Sequence, residues 1–283
     1  MCILFVYVAG DGAYPELEQR YRLVIASNRD EFLARPAARC GRWADAPRVV
    51  AGRDAVGGGT WLGLAGRGGG DAPSAKWAAL TNVREPARPA PEVPYRSRGR
   101  ICADFLRGDA GAAAAAAATA AREFDGYNAL FGDGAGVWYA TNRGERPGVA
   151  RVVEPGIHVL SNASLDTPWP KSERGRARFA AACAEHAARD PAAFARALLD
   201  DVLGDDAVCA LATGTGCTEA HEANFCYVHV PLTERLAGGT YGTRTSTAVL
   251  VAADGGVTVV ERDRADGGWA EQALVFPAGA CPA

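Results

Sequence analysis

The first residues of the chain form a segment that is apolar throughout, Cys2–Val8, and rich in aromatic and β-branched side chains. Such a run predicts a buried strand at the very start of the fold. Arg22–Ser27 has a similar character and follows a turn region at Ala9–Glu18, so the two segments predict a hairpin with a long loop. A buried first strand holds the N-terminal residues in the fold instead of leaving them on a mobile tail.

The order of the remaining elements favours a layered fold. Further strands are predicted at Thr60–Ala65, Trp77–Val83, Tyr127–Phe131, Val137–Thr141, Gly156–Ser161, Phe225–Val230, Thr245–Ala252, Val257–Arg262 and Trp269–Phe276. Helices are predicted at Ser97–Leu106, Ala110–Glu123, Ser172–Ala188 and from Pro191 to about Leu203, and residues 35–59 are predicted to be loop-rich. Strands at both ends with helices between them are typical of an α+β domain, not of a doubly wound parallel sheet. No internal repeat and no clean linker is present, so residues 1–283 are predicted to form a single domain.

Charge and apolar run lengths exclude two classes of protein. The chain has 30 lysine and arginine residues and 33 aspartate and glutamate residues, which gives a net charge of −3. A protein that coats nucleic acid needs a surplus of basic residues, which this chain does not have. The longest apolar runs, Cys2–Gly10 and Gly111–Ala121, are shorter than the ~18–20 residues of a membrane-spanning helix. The N-terminus has neither a signal-peptide nor a transit-peptide pattern. These features predict a cytoplasmic protein without a membrane span, and leave association with mitochondria or the Golgi open.

Cys2 is the candidate nucleophile. Initiator methionine is usually removed before a small residue, so we expect the mature chain to begin at Cys2 with a free α-amino group. Such an amine, with a pKa of about 8, is able to act as the base for its own thiol. The alternative is that Cys2 is an inert buried thiol, as we expect for the other cysteines. No metal site is predicted, because Cys209, Cys217, His221, Cys226 and His229 fit no compact zinc pattern.

Polar residues follow several predicted strands. Asn28, Arg29, Asp30 and Glu31 come directly after the second strand, where they either form surface ion pairs or place a cation next to the Cys2 thiol and lower its pKa. Asn82 and Asn162 each end a short apolar strand, where an asparagine either caps a turn or donates to an oxyanion. Arg244 opens the strand-like segment TSTAVLVA and is either exposed or part of a pocket.

The densest group of basic residues lies at positions 84–100, after the predicted strand Trp77–Val83 and up to the start of the predicted helix Ser97–Leu106. It consists of Arg84, Arg88, Arg96, Arg98 and Arg100. A solvated loop is the expected role for most of them. Arg98 stands at a predicted helix start, where it is a candidate for holding a propionate, a phosphate or another anionic group by charge-assisted hydrogen bonds.

Several blocks together resemble one family. The segments MCILF, ASNRDEFLARP, GGTWLG, ALTN, SRG, LSNASLDTPWPK and YGTRTST occur in this order and are similar to the NRDE family, the transport and Golgi organisation protein family. The resemblance runs from Met1 to about Phe276. It implies a four-layer αββα sandwich of the N-terminal-nucleophile-hydrolase type. It also implies roles in haem trafficking, lipid and acyl-CoA homeostasis, Golgi organisation and protein secretion.

The wider superfamily implies a set of site residues. In its cysteine-type amidases the nucleophile is joined by an arginine and an aspartate on the next strand, two asparagines and a later arginine, which looks like Cys2, Arg29, Asp30, Asn82, Asn162 and Arg244. Two functions follow from the resemblance: a carrier of an amphipathic anionic ligand, haem or acyl-CoA, and an amidohydrolase that uses Cys2. Neither requires a bound cofactor. For haem as a transported ligand, Cys2 and His158 are the candidate axial ligands.

Overall fold

The computed structural model describes residues 2–66, 75–86, 94–119, 123–234, 236, 238–265 and 268–278. The strands in these ranges are β1 (Cys2–Val8), β2 (Tyr21–Phe32), β3 (Ala37–Trp43), β4 (Ala46–Asp54), β5 (Leu62–Ala65), β6 (Lys76–Asn82), β7 (Tyr127–Asp133), β8 (Gly136–Thr141), β9 (Arg151–Val153), β10 (Gly156–Leu160), β11 (Tyr241–Ala252), β12 (Val257–Ala265) and β13 (Gly268–Phe276). The helices are α1 (Pro15–Arg20), α2 (Gly99–Arg107), α3 (Ala112–Ala118), α4 (Pro170–His186), α5 (Pro191–Ala197) and α6 (Glu219–Glu222), and a π-helix at Leu198–Leu203 continues α5.

The strands form two antiparallel sheets. The six-stranded sheet has the order β10-β1-β2-β11-β12-β13, and the seven-stranded sheet has the order β3-β4-β5-β6-β7-β8-β9. β1 and β2 are central in the first sheet, and their register places Cys2 opposite Arg29. The predicted hairpin at the N-terminus is therefore confirmed, with α1 inside its connection.

Three apolar cores separate four layers. Side chains of successive strand residues point to opposite faces, and β1 shows this directly. Leu4 and Val6 pack between the two sheets, against residues such as Trp61. Phe5 packs under α4, where a Cβ at Gly175 would lie 2.2 Å from the Phe5 ring, so only glycine permits this close approach. A third core joins the second sheet to α2 and α3.

The fold is thus an α+β sandwich with a helix–sheet–sheet–helix arrangement, as predicted. None of the described helices is both long enough and apolar enough to cross a membrane.

Several of the element predictions are wrong or need new bounds. Residues 35–59 contain β3 and β4 instead of loops, and Phe225–Val230 is not a strand. Asn28–Glu31 do not follow a strand, because β2 continues through them to Phe32. The predicted helix Ala110–Glu123 is described only as α3, and residues 120–122 lie outside the described residues.

A buried carboxyl group links the two sheets. The backbone N–H of Cys40 on β3 donates to Glu261 Oε1 on β12 at 2.7 Å, and Gln272 Nε2 donates to the same oxygen at 3.0 Å. Glu261 is 1% exposed. Burial raises the pKa of Glu261 to about 7, and the nearby Asp263 carboxylate adds to the rise, although these hydrogen bonds oppose it.

We expect Glu261→Gln to flatten the pH dependence of stability between pH ~4.5 and ~7. In this window the unfolded state ionises Glu261 while the folded state keeps it protonated, so the free energy of unfolding falls as pH rises. The loss is of the order of 3 kcal/mol for a shift of this size. Urea denaturation at several pH values measures it. If the free energy of unfolding changed with pH equally in the wild type and in Glu261→Gln, Glu261 would not be the group that takes up the proton in this window.

Candidate functional site

A small cleft opens at the ends of the strands that carry Cys2 and Asn82. It has a volume of about 150 Å³. Its lining residues are mostly polar: Cys2, Arg29, Asp30, Glu31, Arg35, Asp54, Thr60, Trp61, Leu80, Asn82, Ser97, Arg98 and Gly99. Both sheets contribute to it, because Cys2 and Arg29 come from the first sheet and Asn82 from the second.

Cys2 is almost completely enclosed. Its residue exposure is 9%, and it begins β1 on the face that points between the sheets. Burial raises the pKa of the Cys2 thiol, and the Asp30 carboxylate raises it further, whereas Arg29 and a hydrogen bond from the Asp30 backbone lower it. The thiol is therefore neutral near pH 7 and needs a base before it can act as a nucleophile. Met1, whose removal we expect, lies outside the described residues.

Arg29 is held in a buried network with carboxylates, but not with Asp30. Its Nη2 donates to Asp54 Oδ2 at 3.1 Å and lies 3.6 Å from Glu31 Oε2. The guanidinium carbon lies 4.4 Å from the centroid of the Trp61 ring, a cation–π contact. Arg35 shares Asp54 with Arg29 through a 2.6 Å contact. Arg29 lines the cleft, and its Nη1 is buried without a hydrogen-bond partner in the described ranges.

Asn28 and Asp30 point to the opposite face of β2 from Arg29. Asn28 is fully buried, and its Nδ2 donates to the carbonyl oxygens of Leu203 and Val228 at 2.9 Å each. Its Oδ1 accepts a 2.6 Å hydrogen bond from Ser246 Oγ. Asp30 Oδ1 accepts from Thr243 Oγ1 at 2.6 Å. Asn28 thus has a structural role, because all of these bonds join β2 to the helical layer and to β11.

The two predicted asparagines act together at the cleft wall. Asn82 lines the cleft, and its side chain forms no hydrogen bond with another described residue, so the carboxamide N–H is available to a bound oxyanion. Asn162 lies behind it, where its Nδ2 donates to the Asn82 backbone oxygen at 2.9 Å. Ser161 Oγ donates to the Cys2 carbonyl oxygen at 3.4 Å. Asn162 therefore positions Asn82 next to Cys2.

Arg244 lies in the supporting wall and not among the cleft-lining residues. It sits at an irregularity in the pairing of β11 with β2, between Thr243 and Thr245. Its Nη1 donates to the Leu33 carbonyl oxygen at 3.1 Å and to that of Arg35, and its Nε lies 3.9 Å from Asp263 Oδ1. Arg244 thereby fixes the segment that carries Arg35 into the cleft.

Arg98 lies at the rim of the cleft. Its side chain is 28% exposed, donates to the Gly126 carbonyl oxygen at 3.0 Å, and lies 3.6 Å from Asp125. Burial lowers the pKa of Arg98. A Cβ at Gly59 would lie 2.2 Å from the Gly99 carbonyl carbon, so this glycine lets the rim segment close onto the cleft wall.

Two charged residues near the cleft are buried, which the sequence analysis did not predict. Arg84 was expected in a solvated loop, but its side chain is 1% exposed and forms an ion pair with Glu222. Lys171, in the first turn of α4, is 2% exposed. Arg96 is exposed as expected, Arg100 is half-buried in α2, and Arg88 lies outside the described residues.

Both ring nitrogens of His158 are engaged. Nδ1 lies 2.7 Å from Asp166 Oδ2, and Nε2 lies 2.8 Å from the Glu154 carbonyl oxygen. Neither nitrogen is therefore free to coordinate haem iron. Within the described ranges no group of three or more His, Cys, Asp or Glu side chains is arranged to hold a metal ion.

Comparison with known proteins identifies the family. The family model described as Transport and Golgi organisation 2 matches residues 1–266. The chain is 33% identical over 276 residues to the Transport and Golgi organization 2 homolog of Mus musculus, with 94% of each chain covered. It is 35% identical over 277 residues to the homolog of Bos taurus, covering 93% of this chain and 92% of the relative. NRDE is the alternate name of this family. The chain belongs to the Transport and Golgi organisation 2 family.

Proposed function

We propose that the chain serves transport and Golgi organisation from the cytoplasm, and that its molecular activity is hydrolysis of a small polar amide by Cys2. The printed names of the relatives support the cellular role. The arrangement of the cleft supports the molecular one. In this proposal the sandwich is of the N-terminal-nucleophile-hydrolase type, because the candidate nucleophile begins the first strand of a central hairpin.

The observation that carries the proposal is the meeting of Cys2, Arg29 and Asn82 in one cleft, although they come from distant parts of the chain. Acyl transfer uses a nucleophile and a hydrogen-bond donor for the oxyanion, which Cys2 and the uncommitted Asn82 carboxamide supply. The Arg29 cation lowers the pKa of the Cys2 thiol. The volume of about 150 Å³ is below the ~300 Å³ at which pockets for drug-sized ligands begin, so a small substrate fits best.

The reaction proceeds in two halves. The Cys2 thiol gives its proton to the α-amino group, and the sulfur attacks the amide carbonyl carbon. The carbonyl oxygen becomes an oxyanion that accepts a hydrogen bond from Asn82. When the C–N bond breaks, the amine leaves with the proton returned by the ammonium group, and a thioester remains on Cys2. Water then adds to the thioester, the C–S bond breaks, and the acid is released with the free thiol restored.

We expect the purified chain to hydrolyse members of a panel of small polar amides, and Cys2→Ala or alkylation with iodoacetamide to remove that activity. Cys217→Ala is the matched control, because Cys217 is half-buried and does not line the cleft. Intact mass is measured on the same sample, since the mechanism needs a free α-amino group on Cys2. Hydrolysis that survives Cys2→Ala, or a mature chain that keeps Met1, would contradict the mechanism.

A second candidate function is transport of an amphipathic anionic ligand, haem or acyl-CoA, within haem trafficking and lipid homeostasis. The observation that favours it is Arg98, a partly buried cation at the cleft rim that is suited to a propionate or phosphate. Two results together would favour transport over hydrolysis. The chain would bind haem or acyl-CoA saturably and in a way that depends on Arg98, and it would hydrolyse no amide of the panel.

A further inference from the structure

The carboxamide of Asn162 has two chemically different neighbours, which decide its orientation. Its Nδ2 donates to the Asn82 backbone oxygen at 2.9 Å, and its Oδ1 accepts from Arg84 Nη2 at 3.5 Å. A backbone carbonyl only accepts and a guanidinium group only donates, so the reverse orientation would place donor against donor and acceptor against acceptor. Asn162 is 0% exposed, so bulk water does not reach the amide to relieve such a mismatch. Arg84 and Asn82 together therefore select one orientation of Asn162.

Backbone contacts join the same segments beside Cys2. The Arg84 N–H donates to the Asn162 carbonyl oxygen at 2.7 Å, and Thr81 Oγ1 at the end of β6 donates to the Ser161 carbonyl oxygen. Ser161 Oγ in turn donates to the Cys2 carbonyl oxygen at 3.4 Å. The end of β6 in one sheet is thus joined to the residues that follow β10 in the other sheet.

The Arg84 guanidinium group is fixed from its other side by a segment that belongs to neither sheet. Its Nη1 donates to Glu222 Oε2 on α6, and both side chains are at most 3% exposed. Its carbon lies 5.1 Å from the centroid of the Trp169 ring and 4.9 Å from that of the Phe225 ring. Thr215 Oγ1 donates to the other Glu222 oxygen at 2.8 Å, so the carboxylate is held as well.

We propose that Arg84 is a positioning residue of the Cys2 site: together with Glu222 it fixes the Asn162 carboxamide, which places Asn82 for the oxyanion. Arg84 is not among the cleft-lining residues of the described ranges, so it acts through Asn162 and not on the substrate. An oxyanion donor has to lie within about 2.7–3.1 Å of the oxygen that it stabilises. The inference rests on the proposed use of Cys2 and Asn82 in acyl transfer, but not on the hydrolysis of an amide.

Loss of the Arg84 side chain is expected to impair acyl transfer to Cys2 more than it impairs the reactivity of the thiol. Acylation by an ester passes through an oxyanion, whereas alkylation by iodoacetamide displaces iodide at a saturated carbon and forms none. The ratio of the two rate constants therefore reports the oxyanion donor, because thiol access and ionisation enter both rates. Removal of one oxyanion donor costs about 10²–10³ in rate, so we expect a displaced donor to cost about tenfold.

The test measures acylation by p-nitrophenyl acetate and alkylation by iodoacetamide in the full chain, with the rates of Cys2→Ala subtracted. In acylation the Cys2 thiol loses its proton, the sulfur forms a thioester with the acetyl carbon, and the C–O bond breaks. The released p-nitrophenolate is measured by its absorbance. We expect Arg84→Met/Glu222→Met, in which both buried charges are removed together, to lower the ratio of acylation to alkylation about tenfold.

Two comparisons separate positioning from a structural role. Arg143→Met is the matched control, because Arg143 pairs at 2.9 Å with Glu85, the residue next to Arg84, and we expect it to keep the wild-type ratio. In an Asn162→Ala background, loss of Arg84 and its partner is expected to leave the ratio unchanged, because Arg84 then has no carboxamide to orient.

An unchanged ratio in Arg84→Met/Glu222→Met, or an equal further loss in the Asn162→Ala background, would overturn the proposal. Failure of Arg84→Met/Glu222→Met to fold would also overturn it, since the pair would then be needed for the fold itself. A wild-type Cys2 that is not acylated overturns both this inference and the proposed function. A wild type that is acylated but hydrolyses no amide of the panel rejects only the proposed hydrolysis, and the ratio still decides the role of Arg84.

Discussion

Arg84→Met is expected to lower the free energy of unfolding by about 3–5 kcal/mol, because removal of one partner leaves a buried charge uncompensated. Glu222 is 3% exposed, and after the substitution its carboxylate would keep only the hydrogen bond from Thr215 and its more distant charge contacts. Methionine retains much of the apolar stem of arginine between Trp169 and Phe225, so the lost charge and not the lost volume dominates.

Denaturant unfolding measures this loss, and Arg96→Met is the matched control. Arg96 also pairs with a glutamate, Glu123 at 2.7 Å, and also stacks on a ring, but both partners of its pair are about half exposed. Solvated pairs contribute little to stability. If Arg84→Met were no more destabilising than Arg96→Met, the Arg84–Glu222 pair would not be a determinant of the fold. The double variant Arg84→Met/Glu222→Met is expected to regain part of the stability.

Asn28→Ala is expected to lower the free energy of unfolding by about 3–5 kcal/mol, because three buried polar groups lose a hydrogen bond at once and a buried polar group left unsatisfied costs about 1–3 kcal/mol. These groups are the carbonyls of Leu203 and Val228 and the hydroxyl of Ser246, of which the Leu203 carbonyl keeps a 3.2 Å contact with His229 Nδ1. Asn28 is 0% exposed, so bulk water does not reach them without a local rearrangement.

The control for this substitution is Asn224→Ala. Asn224 also donates to backbone carbonyls, those of Ala220 and His221, but it is only half-buried and water can replace the amide there. Thermal and urea unfolding of the two variants side by side measure the difference. Equal losses would show that Asn28 is not the link between the strand and the helical layer.

The sequence predicts the central hairpin well because its strands are buried, and buried strands are marked by continuous apolar runs. β3 and β4 have no such mark. β3 has exposed or half-buried alanine and arginine at several positions, so it resembles a loop in the sequence. Phe225–Val230 shows the opposite error: its side chains are largely buried, but its backbone bonds to other loops, as in the contact of His229 N with the Asp205 oxygen.

The candidate site is predictable where a residue type follows a strand, and less so where burial decides the role. Asn82, which ends a strand, is found in this way, and Cys2 is found from its place next to the initiator methionine; both line the cleft. Arg84, in an irregular segment, and Lys171, in the first turn of α4, are missed, because a charged residue in either place looks solvated until the tertiary structure encloses it. One signal for Lys171 was present. The chain has 28 arginines and only 2 lysines. Because arginine and lysine are not interchangeable, a lysine in such a chain marks a position to consider as a candidate site residue.

The alternation of side chains along β2 makes this strand intolerant of insertions and deletions. Asn28, Arg29 and Asp30 are consecutive, yet their side chains lie on different faces of β2. Those of Asn28 and Asp30 lie on the helical face, and that of Arg29 lies between the sheets. A length change of one residue upstream in β2 would exchange the faces, placing a guanidinium group beneath the π-helix and an amide against Trp61. Length variation among related chains is therefore expected in the connections that flank β2 and not within it.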